Sequence, residues 1–556
     1  MPAETATSTA SATAFPTLPT SLSISKAGLV AAKTAESCLR NRRWYSPPMS
    51  QPARPKWRVL ALIVLTVAAA KALYLLHYWY GLPFAHGPVG DSVVYEVQAV
   101  SVRGGRFGHP SLLAFSPLYG YLVAAIDGAR HFGRVVWIQY LLGLLNVFLI
   151  YRVTKPRFGV TAANAAALLL GTYGFAVFLE SKLLSDTLGL ALAMAAMALW
   201  LGPAFDRGSS RSALGAGALA ALAVLARSSL VFGAPLLVLA AILPWGSAGE
   251  GLRLPGRLRR GALVALAMLV VFGSYGLWTS RHAGVFVPIT YQSPQSASVL
   301  RASAAKWDES FDSVRIDSDR PFASAVDLVH SVEQDLDRVR AGDDTVAGPS
   351  LIGTWRALDL GSIVRAAPGK LLAGLSDYEK LYQYGYYGER SVIPALWVFP
   401  TTFGILFLLG TIGAVALVRK KGPWALIPYL PWLVGALATL ALYHPSSRYR
   451  LVMVVPLSML AGYAVSIGVE EIRERRRVIA WAAVALCCGF LTLRSASYEL
   501  RHPAHWEAAV AESYFAAGDV ERTHQHLDLA MELAPDDPKL RARVTFLRKR
   551  SPDRPR

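Results

Sequence analysis

The sequence predicts an all-α polytopic membrane protein, and three observations carry that prediction. Of 556 residues, 53% are hydrophobic and 17% charged, and the mean hydropathy is +0.36; a soluble domain of ordinary composition has fewer of the first and more of the second. Apolar runs recur from Trp57 onward, most of them long enough at 1.5 Å per residue to cross a hydrocarbon layer of roughly 30 Å. The net charge of +19 is gathered in turns between alternate runs, as expected of loops held on the cytoplasmic side. That clustering accounts for the charge without invoking nucleic acid.

Residues 1–55 are rich in Ala, Ser, Thr and Pro and lack the order of a signal peptide, so they read as a disordered cytoplasmic tail. Arg40, Arg42, Arg43, Arg54, Lys56 and Arg58 precede the first span, Trp57 to about Tyr80, which places the tail inside and the loop 81–134 outside. Within that loop DSVVYEVQAVSVRGG starts as a helix, with Asp91 or Ser92 as cap and Gly104-Gly105 as stop. The apolar piece Ser116 to about Ala129 is short and opens on Pro117, which predicts an interfacial helix. Further spans are expected at 135–152, 158–179, 185–202, 213–226, 228–245, 261–280, 392–418, 423–443, 451–468 and 478–493, about eleven in all. This alternation puts KPR (155–157), DRGSSR (206–211), the Arg253–Arg260 cluster, RKK (419–421) and EEIRERRR (470–477) on one side. The pair 213–226 and 228–245 decides the register, because a single broken span there inverts the second half.

Outside remain the loop 81–134, the turn ESKLLSD (180–186), Arg227, the long loop 281–390 and HPSSRYR (444–450). The long loop mixes polar residues with aromatic stretches such as DYEKLYQYGYYGER and reads as a small subdomain or lid. Residues 496–556 are soluble in character. Within them Tyr514, Gly518, Asp519, Leu527, Ala530 and Pro535 resemble the second half of a tetratricopeptide repeat, with Ala511 and Thr523 departing from it. One repeat cannot bury its own face and must pack on this chain, a partner protein or another copy. Cys38, Cys487 and Cys488 offer neither a disulfide framework nor metal-ligand spacing.

The outer side collects the acids Asp91, Glu96, Glu180 and Asp186, the cations Lys182, Arg227, Arg448 and Arg450, and His109 and His444. Arginines grip phosphate through charge-assisted, often bidentate bonds, and a neighbouring carboxylate can take a proton from a hydroxyl. Together they describe transfer of a group from a lipid phosphate to an alcohol.

The order of an Asp after the first span, SPLYGYLVAAI, ESKLLSDTLGLALAMAAMALW, ARSSLVFGAPLLVLAAIL and a late HPSSRYRLVMVVPLSMLAG resembles the GT-C superfamily of membrane glycosyltransferases over roughly residues 57–495. Nearest are the aminoarabinose transferase, rhizobial core sugar transferase and protein O-mannosyltransferase families. The resemblance implies a GT-C-like bundle at residues 56–495 with a polyprenyl-phosphate sugar as donor, used on the non-cytoplasmic face of the inner membrane with inversion. It implies Asp91 as general base, Glu180 or Asp186 as a second acidic position, and Arg448 beside the donor phosphate; Arg450, Lys182 and Arg227 are further phosphate-binding candidates because they are cations on the same outer side. The acceptor is a lipid, glycan or protein hydroxyl. Asp91-Ser92 stands where many relatives have a doublet of acids, which counts against protein O-mannosyl transfer. Simpler roles stand beside these: a helix cap for Asp91, snorkelling anchors for the cations, solvated turn residues for Glu180 and Asp186. His109 and His444 with Glu180 are the weak candidates for a divalent metal. A polysaccharide ligase or polymerase using a lipid-linked donor, or a transporter without chemistry, are the competing functions.

Overall fold

The computed structural model describes residues 57–244, 253–291, 325–341, 360–379, 384–443, 446–474 and 503–550. Those residues are overwhelmingly helical, with one isolated bridge between Tyr173 and Thr401. Among them five helices are long and apolar enough to cross a membrane, Trp57–Gly81, Phe132–Gly171, Leu254–Ala283, Phe403–Lys421 and Ser447–Val469. Four shorter apolar helices accompany them, Asp186–Trp200, Ser210–Ala226, Ser228–Ile242 and Leu430–Leu442. The polytopic all-α class is borne out. The expected span 478–493 lies outside the described residues.

Several boundaries differ from the sequence reading for local reasons. The expected spans 135–152 and 158–179 form one helical run, Phe132–Gly171, broken at Gly159 (φ 88, ψ 177) just after Pro156. Unbroken, its 40 residues would extend about 60 Å, twice the hydrocarbon thickness. The piece after Ser116 is the helix Pro117–Ala125, about 14 Å long and too short to cross. The chain from 210 to 242 is two helices, parted at Arg227 in an extended conformation (φ −150, ψ 98). It is not one broken span.

The first helix shows how packing sorts the side chains. Leu62, Leu65 and Leu76 stay exposed, facing where hydrocarbon would lie, while Val67, Lys71, Tyr74 and Tyr78 are buried. The helix after Ser447 is the most buried of the long ones. It sits close to its neighbours because small residues face it. Leu457 and Leu460 meet Gly410 and Gly413, and its own Gly462 meets Ala162 and Ala166, the close backbone approach that drives helix association where no hydrophobic force operates.

The two ends of the bundle differ in charge. Arg157 donates to the Leu201 carbonyl at 2.9 Å and pairs with Asp206 at 3.0 Å. Arg259 donates to the Ser210 hydroxyl at 2.9 Å, Arg260 to the Ala241 carbonyl at 2.7 Å, and Lys421 lies beside Arg157. Two of the predicted basic clusters, 155–157 and 253–260, thus touch the third, 206–211, in the turn after Trp200, and Asp186 opens the opposite end of that same helix.

The C-terminal helices Pro503–Ala516, Val520–Leu533 and Pro538–Arg550 share an apolar cluster that includes Ala508, Ala511, Leu527, Ala530, Val544 and Leu547. The first of them also packs on residues 83–87 of the first loop.

Candidate active site

The site grows from the start of one helix. Gly90 is the cap of helix Asp91–Arg103 in a positive-φ conformation (φ 57, ψ −128), a region that side chains disfavour. Asp91 is therefore the first helical residue, and no side-chain cap bond is made. Its Oδ2 accepts from Arg448 Nη1 at 2.7 Å. Arg448 sits in the single turn Ser447–Arg450 and also directs Nε and Nη2, each at 2.9 Å, onto Asp186 Oδ2. The other oxygen of Asp186 lies 2.8 Å from Arg227 Nη1, an ion pair without full hydrogen-bond alignment. Asp91, Arg448, Asp186 and Arg227 thus form one alternating row drawn from four separated segments. Exposure is least at its centre: the Asp186 side chain is 0% exposed, Arg227 9%, Arg448 10% and Asp91 20%. Tyr95 closes one flank by donating to Ser185 Oγ at 2.9 Å.

The remaining predicted residues lie outside this row. Glu180 is paired with Lys71 at 2.7 and 2.9 Å; Lys71 belongs to the first span and its partner role escaped the sequence reading. A charge inside an apolar run is the signal that marks such residues. Lys182, fully buried in the turn before Asp186, pairs with Glu389 Oε2 at 2.7 Å and lies 3.8 Å from the centre of the Tyr78 ring. Burial pushes its ammonium down to about 8 against the pull of Glu389. Burial likewise raises the Glu389 carboxyl, opposed by Lys182 and Tyr74. Arg450 donates to the carbonyls of Gly374, Ser376 and Tyr378 and pairs with Glu379 at 2.8 Å. It pins the segment 374–379 to the bundle.

Glu379, Tyr384 and Glu389 all come from DYEKLYQYGYYGER, the aromatic stretch of the long loop. Of its described residues, Tyr378, Tyr384 and Tyr386 are buried. Tyr384 is buried and shares a hydrogen bond with Ser92 Oγ at 2.8 Å, one residue from Asp91. His109 accepts from the Ser111 amide at 3.3 Å and caps the helix Pro110–Ala114, with its pKa lowered by burial and by Arg106. His444 lies outside the described residues. Among those residues no group of three His, Cys, Asp or Glu side chains is placed to hold a metal. A cavity of about 540 Å³, with no member of the row in its lining, is bordered by Trp79, Phe84, Glu96, Arg130, Phe132 and Leu183, among others, and burial raises the Glu96 carboxyl.

Residues 115–275 match the family model of dolichyl-phosphate-mannose-protein mannosyltransferases. The matched segment contains Glu180, Lys182, Asp186 and Arg227 and leaves out Asp91, Arg448 and Arg450. It covers less than a third of the chain, and over it the resemblance to GT-C glycosyltransferases drawn from the sequence is borne out. A comparison with curated protein sequences finds no match.

Among solved structures the chain is similar to the oligosaccharyltransferase AglB from Archaeoglobus fulgidus, in complex with an inhibitory peptide and a dolichol-phosphate. The identity is 15% and the TM-score 0.46, over 88% of this chain and 59% of that one. It is also similar to ArnT from Cupriavidus metallidurans bound to undecaprenyl phosphate, at 16% identity and a TM-score of 0.32, over 74% of this chain and 79% of that one. The chain thus spans about three fifths of the length of the archaeal protein. Nothing about substrate or mechanism follows from likeness of that degree.

Proposed function

We propose that the protein is a membrane glycosyltransferase that moves a monosaccharide from a polyprenyl-phosphate donor to a hydroxyl of an envelope lipid, glycan or protein, on the face away from the basic turns. The observation that carries this reading is the row Asp91–Arg448–Asp186–Arg227, a carboxylate with access to solvent joined to two guanidiniums whose other anchor is fully buried. The acceptor oxygen attacks the anomeric carbon and its proton passes to Asp91. The bond from that carbon to the phosphate oxygen breaks, and the electron pair leaves with the phosphate, which Arg448 and Arg227 stabilise. Direct displacement of this kind inverts the anomeric centre. Lys182 and Arg450 act through the segments they hold.

The row is electrically balanced before the donor arrives, with two acids facing two arginines. A phosphate entering it competes with Asp91 for Arg448. Donor binding then frees the carboxylate that has to accept the proton.

The test is transfer in nanodiscs with a panel of polyprenyl-phosphate sugars and mixed envelope acceptors, comparing wild type with Asp91→Asn. Activity in wild type that is lost in a folded, donor-binding variant supports the reading. A variant as active as wild type removes Asp91 as base and moves a ligase or transporter ahead.

A further inference from the structure

We propose that the C-terminal helical unit completes the site, with Trp506 as a positioning residue for the segments that bear Asp91 and Glu389. The inference rests on the glycosyltransferase reading only for its activity readout. Two segments far apart in sequence meet under this side chain. One is the turn Pro83–Ala85, whose Phe84 ring lies 5.6 Å from Trp506, edge to face. The other is Gly385–Gly388, where a Cβ at Gly385 would come within 2.8 Å of the indole and one at Gly388 closer still. Both glycines leave out a side chain where the indole sits.

Beneath the indole the contacts run on to the chemistry. Phe84 meets Tyr384 edge to face at 5.2 Å, and Tyr384 shares its hydroxyl bond with Ser92. Gly388 is followed by Glu389, the partner of the buried Lys182. A second fastening lies alongside, where Ser513 Oγ donates to the Gly87 carbonyl at 2.7 Å. Ala509 and Val510 of the same helix join the apolar core of the bundle, and the contacts of Trp506 fall on Phe84, Gly385 and Gly388, not on the row. Its effect is on where the loop 83–91 and the helix Tyr386–Val392 stand relative to each other.

The full-length chain carries the test. In Trp506→Ala, hydrogen exchange should rise at residues 83–90 and 384–390 while the bundle helix Phe132–Gly171 keeps its protection. Turnover should fall about tenfold or more, because a misplacement near 1 Å can cost up to a hundredfold, with affinity for the polyprenyl-phosphate sugar unchanged. Trp506→Phe, which keeps a flat ring in the notch, should recover much of the loss, and Ser513→Ala should give a smaller effect of the same kind.

Unchanged exchange at both segments in Trp506→Ala overturns the proposal whether or not any donor is turned over, which separates its failure from failure of the glycosyltransferase reading. A loss of turnover matched by an equal loss of donor affinity and of bundle protection also overturns it, since that is general unfolding. If Trp506→Ala fails to fold, Trp506→Leu, which removes the ring and keeps an apolar filler, and Ser513→Ala carry the same two readouts, and wild-type exchange and turnover in both overturn the assignment.

Discussion

Replacing Asp91 by Asn should make the protein bind a polyprenyl phosphate more tightly while ending transfer. In the resting row Arg448 Nη1 lies 2.7 Å from Asp91 Oδ2. Two unit charges at that separation attract by about 1.5 kcal/mol in bulk water and about 6 kcal/mol at an effective dielectric near 20. Asp91 keeps a fifth of its side-chain surface exposed, so the lower end applies after screening. Asn retains an oxygen for Arg448, so the change is from a charge-assisted bond to a neutral acceptor, about 1 to 1.5 kcal/mol. That energy no longer opposes the phosphate, and at 1.4 kcal/mol per decade it amounts to roughly five- to tenfold tighter binding. The assay is titration of the lipid phosphate into nanodisc-held protein, followed by native mass spectrometry or thermal shift, for wild type and variant. Binding that is unchanged or weaker in Asp91→Asn refutes the competition between carboxylate and phosphate. An Asp that only started a helix would leave the affinity where it was.

Three other outcomes follow from the geometry. Gly90→Ala forces a side chain into φ 57, ψ −128, costing about 1 to 3 kcal/mol; turnover should fall with donor affinity kept, and an active variant of wild-type melting temperature contradicts the need for that conformation. Lys71→Met or Glu180→Gln alone leaves a buried charge without its partner and should cost about 3 to 5 kcal/mol in denaturant unfolding, whereas the double variant should cost much less; additive losses argue against the pairing. For Lys182 the folded ammonium titrates at about 8 and the free one at 10.5, so between those values the unfolded chain holds more protons and this group's contribution to stability rises with pH. The melting temperature of wild type relative to Lys182→Met should therefore climb from about pH 8 to about pH 10, and a falling difference overturns the burial argument.

Much of the fold was legible because apolar runs and basic turns are one-dimensional signals. The positive clusters at 155–157, 206–211 and 253–260 do meet at one end of the bundle, as a charge rule predicts from sequence alone. Asp91, Asp186, Arg227 and Arg448 could be named as candidates for the same reason, since each interrupts or ends an apolar run. Their pairing could not, because it joins residues up to 357 positions apart. The same limit hid the partners of Glu180, Lys182 and Arg450. Lys71 is a single charge within the span Trp57–Tyr80, and Glu379 and Glu389 stand among tyrosines in a long polar loop. Gly90 displaced Asp91 from the cap position because the turn needs positive φ, which a cap preference for Asp does not weigh.

The shorter helices explain why a charged row can stand at this place. Asp186 opens a helix of 15 residues, Arg227 ends one of 17, and Arg448 follows one of 13. At 1.5 Å per residue these reach about 20 to 25 Å, less than the roughly 30 Å of the hydrocarbon core. The first span, with 25 residues, reaches about 38 Å. Helices this short have room to end in a recess walled by longer neighbours. A recessed row of ions is costly unless each member is paired, and here Asp186 is flanked by Arg227 and Arg448. On the proposed reading such a recess lets a phosphate meet the arginines while its polyprenyl chain stays in the bilayer. A soluble sugar phosphate has no such chain to keep in register. A donor anchored in the membrane is held by the bilayer as well as by the row, so on the proposed reading a water-soluble analogue of the same sugar phosphate should bind much more weakly in the same titration.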